Sequence, residues 1–432
     1  MQIAVIGGGI AGLAAAWWLS RDGHRVSLFE RQARPGFVAH GVSVDGVVVD
    51  MPLRVFYPGY YPTLMRLYRE LGVATQPVSY ATSFVDDDGR LFFRWRNLRL
   101  GSFSLPCVLP QDLADRRARR IAAGALQFRL AARRALARGE LHGQSLAAFV
   151  DRQRLPPEFV DGLLLPALAT IATCTLADAR QYPADVVAAY LQAGLARQSV
   201  RRARDGAEDA ATRMLAGIPR VVCQARVEHL RVAADGVQLR QGDGGVERFD
   251  HLVLATQANQ ALRLWPDAPP RLAQALAGFG YSALEVVMHR DERLMPPRRA
   301  DWSPVNARVC SDLQRPENQR PESTIWVNAV QPALRHAAPV FQTVQPQRQP
   351  REALVLARAR FERPLVDAAS QRALAELQAW QDEQRGPGGH GAASLPVSFC
   401  GSYAESGVPL LESAVRSAAA VVQRLGGRQP RI

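Results

Sequence analysis

Two apolar runs open the chain. Met1 to Ile6 reads as a buried strand, and Ile10 to Leu19, apolar nearly all round, reads as a helix packed against a sheet. A second strand, Arg25 to Phe29, follows at once. Val42 to Val44 and Val47 to Asp50 flank Asp45-Gly46 as a hairpin, a helix runs from Tyr61 to Leu71, and Ser83 to Val85 pairs with Leu91 to Trp95 across Asp88-Gly89. The period then lengthens. Gln111 to Leu191 is mostly helical, and Asp112 to Arg138 carries Leu113, Ile121, Ala125, Phe128, Ala132 and Leu136 largely on one face. Ser145 is placed to cap a helix to Val150, and Phe159 to Ala172 is apolar enough for core or for a tunnel lining. Arg197 to Arg204 lacks an apolar period and reads as an exposed connection before a helix at Glu208 to Leu215.

Strand patterns return at Val221 to Cys223, Val227 to Val232, Gly236 to Arg240 and Phe249 to Ala255, then at Tyr281 to His289 and Ser323 to Val330. The Pro-rich polar stretches Leu313 to Glu322 and Val344 to Arg351 read as loops. Ala369 to Gln384 is a helix, and Gly386 to Ala393 a glycine-rich linker. Val397 to Cys400, Gly401-Ser402 and Leu411 to Leu425 then form a strand, a turn and a helix.

Gly7, Gly9 and Gly12 spell G-x-G-x-x-G between the first strand and its helix, and Glu30 ends the second strand about 20 residues later. In that context Gly7 serves the tight turn, Gly9 lets the backbone approach a pyrophosphate, and Gly12 lets helix and strand pack closely. The helix N-terminus offers free N–H groups to phosphate, and the Glu30 carboxylate suits the hydroxyls of an adenosine ribose.

At 432 residues, 47% hydrophobic and 22% charged, the chain has room for two globular domains. The motif begins at Met1, so no signal peptide is expected. The longest apolar candidate for a membrane span, Phe159 to Ala177, is broken by Asp161 and Pro166, and a cytoplasmic location is expected. Five scattered cysteines without a C-x-x-C argue against a disulfide framework or a metal site. All 53 basic residues are arginine. With no lysine, Schiff-base chemistry and a lysine general base are excluded. The net charge of +13 favours anionic partners, but no nucleic-acid-binding module accompanies it, so no nucleic-acid function is expected.

From Met1 through Gly36 and Asp50 to the helix Tyr61 to Leu71, and again from Val397 to Leu425, the sequence resembles the flavin-containing amine oxidase and phytoene desaturase superfamily. It looks most similar to bacterial NAD/FAD-binding oxidoreductases whose genes often neighbour cyclopropane fatty acid synthase genes. The resemblance implies an α/β fold: a discontinuous FAD-binding Rossmann-like domain of the glutathione reductase type (residues 1–80, 215–275 and 390–432) with an inserted α+β substrate or cap domain (81–214 and 276–389). It implies FAD held at Gly7, Gly9, Ile10, Ala11, Gly12, Glu30 and Arg31, at Val227, Ala255 and Thr256, at Gly401 and Ser402, and at the helix start Glu412, Ser413 and Ala414. Two departures stand out. Gly36-Phe37 replaces the usual paired glycines, and Asp50-Met51-Pro52-Leu53 replaces an Asp-Thr-Gly-Phe-like turn, where Pro52 removes an N–H. Trp302, Asn306, Trp326 and Asn328 match aromatic and amide positions of the close family.

The expected activity is hydride transfer from a substrate C–H bond to flavin, in oxidation or desaturation of an apolar or acyl-type small molecule. The alternatives are an amine oxidase lacking the usual lysine, and a flavin-binding protein without turnover. Three residues are candidates for chemistry: Arg54, to fix an anionic group; His40, the one histidine in a stretch expected near the flavin; and Tyr281, which opens a strand suited to a wall over a ring system. Arg116, Arg117, Arg119, Arg120, Arg129, Arg133, Arg134 and Arg138 share the long helix, with Asp112 and Asp115 expected in its first turn. That face suits peripheral contact with an anionic lipid surface or an acidic acyl carrier, against the plainer reading of a solvated face.

Overall fold

The computed structural model describes residues 1–100, 103–194, 199–309, 319–384 and 394–427. The linker Gly386 to Ala393, most of the loop from Leu313, and Arg197 lie outside them. A five-stranded parallel sheet has the order Arg220–Val222, Arg25–Phe29, Gln2–Ile6, His251–Leu254, Val397–Phe399. Its strands are apolar without alternation because both faces are covered. Ile3 and Val5 face a core containing helices Ile10–Arg21 and Leu411–Arg424, while Ala4 and Ile6 face a second core under a three-stranded antiparallel sheet, Val227–Ala233, Gly236–Gln241 and Val246–Phe249.

An eight-stranded mixed sheet runs in the order Val355–Pro364, Tyr281–His289, Phe341–Val344, Glu322–Trp326, Val305–Arg308, Thr82–Val85, Leu91–Leu100, Phe103–Cys107. Helices Arg116–Ala137, Leu146–Arg152, Leu165–Ala172, Leu176–Gln181 and Ala184–Gly194 lie between its early and late strands in the chain. Phe128, Phe149 and Phe159 join this helical group into the same core as the helix Ile10–Arg21.

Most expected elements form within a residue or two of their expected bounds, and six differ, the first being the strand from Leu91, which runs past Trp95 to Leu100. The run Phe249 to Ala255 is two strands in two sheets, broken at Asp250, whose carboxylate accepts the Gln2 N–H (2.6 Å). The arginine-rich connection holds a strand, Arg201–Ala203, antiparallel to Thr75–Pro77, with Arg202 buried. Backbone pairing overrode its polar pattern.

Ser323 to Val330 is strand only to Trp326 and turns helical over Val327–Val330. There the Asn328 amide donates to the carbonyls of Leu334, Ala337 and Ala338 and accepts from the Val340 N–H, bonds that compete with a ladder. The long arginine helix starts at Arg116, after a separate turn Pro110–Leu113, because Asp115 caps it by accepting the Arg117 N–H. Asp112 is therefore outside the first turn and pairs with Arg94 at 3.1 Å. Phe159 to Ala172 is not one helix: a π-helical turn, Val160–Leu164, precedes Leu165–Ala172, in which Pro166 supplies no N–H. Its buried side chains are core.

Candidate functional site

The parallel sheet places several sequence-marked residues at one edge, the carboxyl ends of its strands. Gly7 accepts the turn out of the first strand at φ +109°, and a Cβ there would meet the Ala255 carbonyl at 2.8 Å. A Cβ on Gly12 would lie 1.9 Å from the Gly7 carbonyl, so this contact between helix and strand admits only glycine. Gly9 differs. It is the N-cap of the helix that continues through Ile10 and Ala11, carries no side-chain cap, and has no atom within 4 Å of where its Cβ would be. Uncapped N–H groups facing open space form a cradle for an anion.

Glu30 is buried beside the cradle. Its Oε2 accepts the N–H of Gly8 at 2.8 Å and of Gly36 at 3.3 Å, and its Oε1 accepts that of Gln32 at 2.9 Å. Four lone-pair sites with three acceptances leave capacity on Oε1 for a hydroxyl. Its carbonyl accepts the Ala225 N–H, which brings Val227 to the same edge. Arg31 is exposed. At the adjoining strands, Gly401 (φ +151°) stands beside Thr256, whose carbonyl would be 3.7 Å from its Cβ, and the Ser417 hydroxyl accepts the Gly401 N–H at 2.9 Å. Ala255, Thr256 and Ser402 remain half-buried there. The residues present therefore fit a dinucleotide: an open amide cradle, a carboxylate beside it, and glycine backbone from the Gly7–Gly12 turn and from Gly401.

The helix Leu411–Arg424 is capped by the Ser413 hydroxyl, which accepts the Leu410 N–H. Glu412 uses its carboxylate elsewhere, accepting the N–H groups of Thr63 (3.0 Å) and Leu64 (2.9 Å) at the start of helix Pro62–Glu70. Burial raises its pKa, and those bonds pull it back. At this position only the backbone is left for a ligand. Ala414 is buried beneath it.

Beside the cradle lies a second group. Arg54 stacks on the Phe37 ring at 4.5 Å, donates to the Phe37 carbonyl, and lies 3.7 Å from the Asp50 carboxylate. His40 is half-buried and sets its ring edge-on to Phe361 at 4.9 Å. Burial, and then the Arg54 charge, lower its pKa, so it is neutral at pH 7. Tyr57, Tyr60, Tyr61 and Tyr190 pack edge-to-face here, and the Tyr60 hydroxyl accepts the Val408 N–H at 2.9 Å. Tyr281 is elsewhere, its hydroxyl accepting the Ala258 N–H (2.7 Å) at the start of helix Ala258–Leu264. Of the wall residues, Trp302 packs against Trp326 and Phe341, and Asn306 ties Ser303 to Thr324.

Sequence reasoning missed Arg363, which lies on the strand Val355–Pro364 two residues beyond Phe361 and donates to the Pro409 carbonyl at 3.2 Å. A signal was present. Val355, Ala357, Ala359 and Phe361 alternate as one apolar face, and Arg363 breaks that parity. Among the described residues no cluster could hold a metal ion, and no helix is long and apolar enough to cross a membrane.

The family model described as flavin containing amine oxidoreductase matches residues 10–425. The zeta-carotene desaturase of Synechocystis is 37% identical over 95 residues, 21% of this chain and 19% of that protein, so the alignment spans about a fifth of the curated relative. Two solved structures align over nearly the full length. The fatty acid isomerase from P. acnes gives a TM-score of 0.66 at 14% identity over 98% of both chains, and cyclohexylamine oxidase from Brevibacterium oxydans 0.65 at 15% over 98% of this chain and 100% of that one. At these identities the likeness is one of fold.

Proposed function

The chain belongs to the family of flavin-containing amine oxidoreductases, which makes FAD its cofactor and oxidation–reduction its chemistry, and we propose that it oxidises or desaturates an apolar or acyl-type small molecule. The observation that carries this reading is the convergence of Gly9, Glu30 and Gly401 at one sheet edge, next to a packed group of tyrosines and the partly buried Arg54. In this reading residues 1–80, 215–275 and 390–432 form the Rossmann-like FAD domain, and 81–214 and 276–389 the substrate domain. Gly7 to Gly12 hold the pyrophosphate, Glu30 and Arg31 the adenosine side, and Val227, Ala255, Thr256, Gly401, Ser402 and Glu412 to Ala414 the remainder through backbone.

Bound FAD supplies the hydride acceptor. The protein positions the reacting C–H bond and keeps water out, tasks suited to the Tyr57–Tyr60–Tyr61–Tyr190 cluster. His40, neutral at pH 7, is the proton acceptor of this reading. The absence of lysine weighs against the amine oxidase alternative, and the acyl preference agrees in direction with the fatty acid isomerase among the solved structures of like fold.

The test is anaerobic incubation of the yellow protein with unsaturated fatty acids, carotenoid precursors and primary amines, following the visible flavin band. Bleaching by acyl or polyene compounds supports the proposal, and bleaching by amines alone replaces it with amine oxidation. A band that no substrate bleaches, while dithionite does, leaves a flavin-binding protein without turnover.

A further inference from the structure

Resting on the reading of the region around these tyrosines and Arg54 as the substrate site, the structure also narrows the substrate. Arg363 occupies the face of its strand that Phe361 and Ala359 share, directly across the ladder from Ser282. The Ser282 hydroxyl in turn accepts from Arg320 at 2.8 Å, and Arg320 reaches the Thr173 carbonyl at 3.4 Å. Neither Arg320 nor Arg363 forms a salt bridge among the described residues, whereas Arg54 has Asp50. Near Arg363, Tyr182 is 1% exposed and its hydroxyl has no hydrogen-bond partner among the described residues. Burial and the nearby Arg54 charge both work against the Arg363 cation.

This corner thus holds donors in excess of acceptors. A guanidinium drawn partly out of water without a counter-charge is costly, and a buried hydroxyl without a partner adds to that cost. One group satisfies all of them. A carboxylate offers two oxygens to the Arg363 fork and a lone pair to a tyrosine O–H.

We propose that Arg363, with Arg320 and the Tyr182 hydroxyl, forms a carboxylate-binding subsite beside the tyrosines and Arg54, so that the substrate is a carboxylic acid. Amines and alcohols fit less well: a cation is repelled by three guanidinium groups, and an alcohol brings no counter-charge to the Arg363 fork.

The test uses the FAD-loaded protein with three probes of equal chain length: decanoate, decylamine and decanol. Calorimetric binding and the unfolding temperature are read for each. Decanoate is expected to bind saturably and raise the unfolding temperature, and the other two to do neither. Arg363→Met should weaken decanoate binding by about tenfold to a hundredfold, the loss of a charged hydrogen-bonded partner, with FAD occupancy unchanged. Arg363→Lys should restore part of it. If Arg363→Met does not fold, Tyr182→Phe keeps the ring and should weaken decanoate by roughly threefold to tenfold. Decylamine binding as tightly as decanoate, or decanoate affinity within about twofold of wild type in these variants, overturns the subsite. So does an Arg363→Met protein that loses FAD, since the arginine then serves the cofactor. A wild-type protein that takes up no FAD yet binds decanoate through Arg363 overturns the redox reading alone.

Discussion

Glu30 and His289 show how a single side chain commits the molecule. Replacing Glu30 by Ala removes the acceptor of three backbone N–H groups and of the adenosine ribose in the FAD reading. A lost hydrogen bond to a charged group is worth roughly 1.5–3 kcal/mol, so FAD should dissociate about one to two decades more readily. Fluorescence titration of the apoprotein checks this, and equal affinity in both proteins removes Glu30 from the site. His289 is fully buried. Its Nδ1 accepts the Asp291 N–H at 3.1 Å, so Nε2 carries the proton and donates to the Thr343 hydroxyl at 2.8 Å. Burial pushes its pKa down from 6.5 to about 4, against the pull of Asp291. The unfolded chain then binds the extra proton between those values, so the contribution is complete above pH 6.5 and falls away toward pH 4, by up to about 3 kcal/mol. His289→Gln should flatten the pH dependence of unfolding free energy in that window, and parallel profiles would show that the imidazole already charges in the fold. Such residues differ in legibility. Glu30 stands out in the sequence because its spacing from the glycines is local, whereas the isolation of Arg363 depends on what the Tyr281–His289 strand and residues 173–182 bring against it.

Elements were legible where one pattern ruled and illegible where two segments met. The helix Ile10–Arg21 follows from its apolar run, but the division at Asp250 and the strand Arg201–Ala203 arise from partners more than a hundred residues away. Helix Pro62–Glu70 is a further instance: its N-cap, Tyr61, makes no side-chain cap, and Glu412 of the last helix takes that role from a distance. A carboxylate there satisfies two orphan N–H groups and meets the positive ends of two helices. Glu412→Ala should therefore destabilise the fold by about 1.5–3 kcal/mol in chemical unfolding, and Glu412→Gln by less. No change would mean that water caps this helix equally well. On helix Arg116–Ala137 the structure sharpens the outer face: Leu126 and Leu130 are 59% and 47% exposed among Arg129, Arg133 and Arg134, while Arg120 pairs with Glu158. In the surface-contact proposal each exposed arginine near anionic lipid contributes about 1 kcal/mol. Sedimentation with anionic vesicles should exceed that with neutral ones, weaken with salt, and vanish when Arg116, Arg129, Arg133 and Arg134 become Gln; equal recovery in the supernatant at low salt leaves a solvated face.

At the scale of the whole molecule the cofactor and the fold are coupled. A ligand that binds only the native state at about 100 times its dissociation constant adds about 2.7 kcal/mol of stability. Protein stripped of FAD should unfold at a lower temperature and recover on reconstitution, and identical transitions would separate cofactor from fold. The parallel sheet carries one more consequence, in time rather than energy. Its first two strands in chain order are made early, but the fourth is His251–Leu254 and the fifth Val397–Phe399, and the helix Leu411–Arg424 that shares a core with Ile10–Arg21 is translated only after all five. A ribosome stalled before Val397 therefore holds a chain whose opening glycine turn has no Gly401 opposite it and whose buried helix is bare along one side. Ribosome-bound chains should remain open to protease near the helix Ile10–Arg21 until Val397–Phe399 and Leu411–Arg424 have left the exit tunnel.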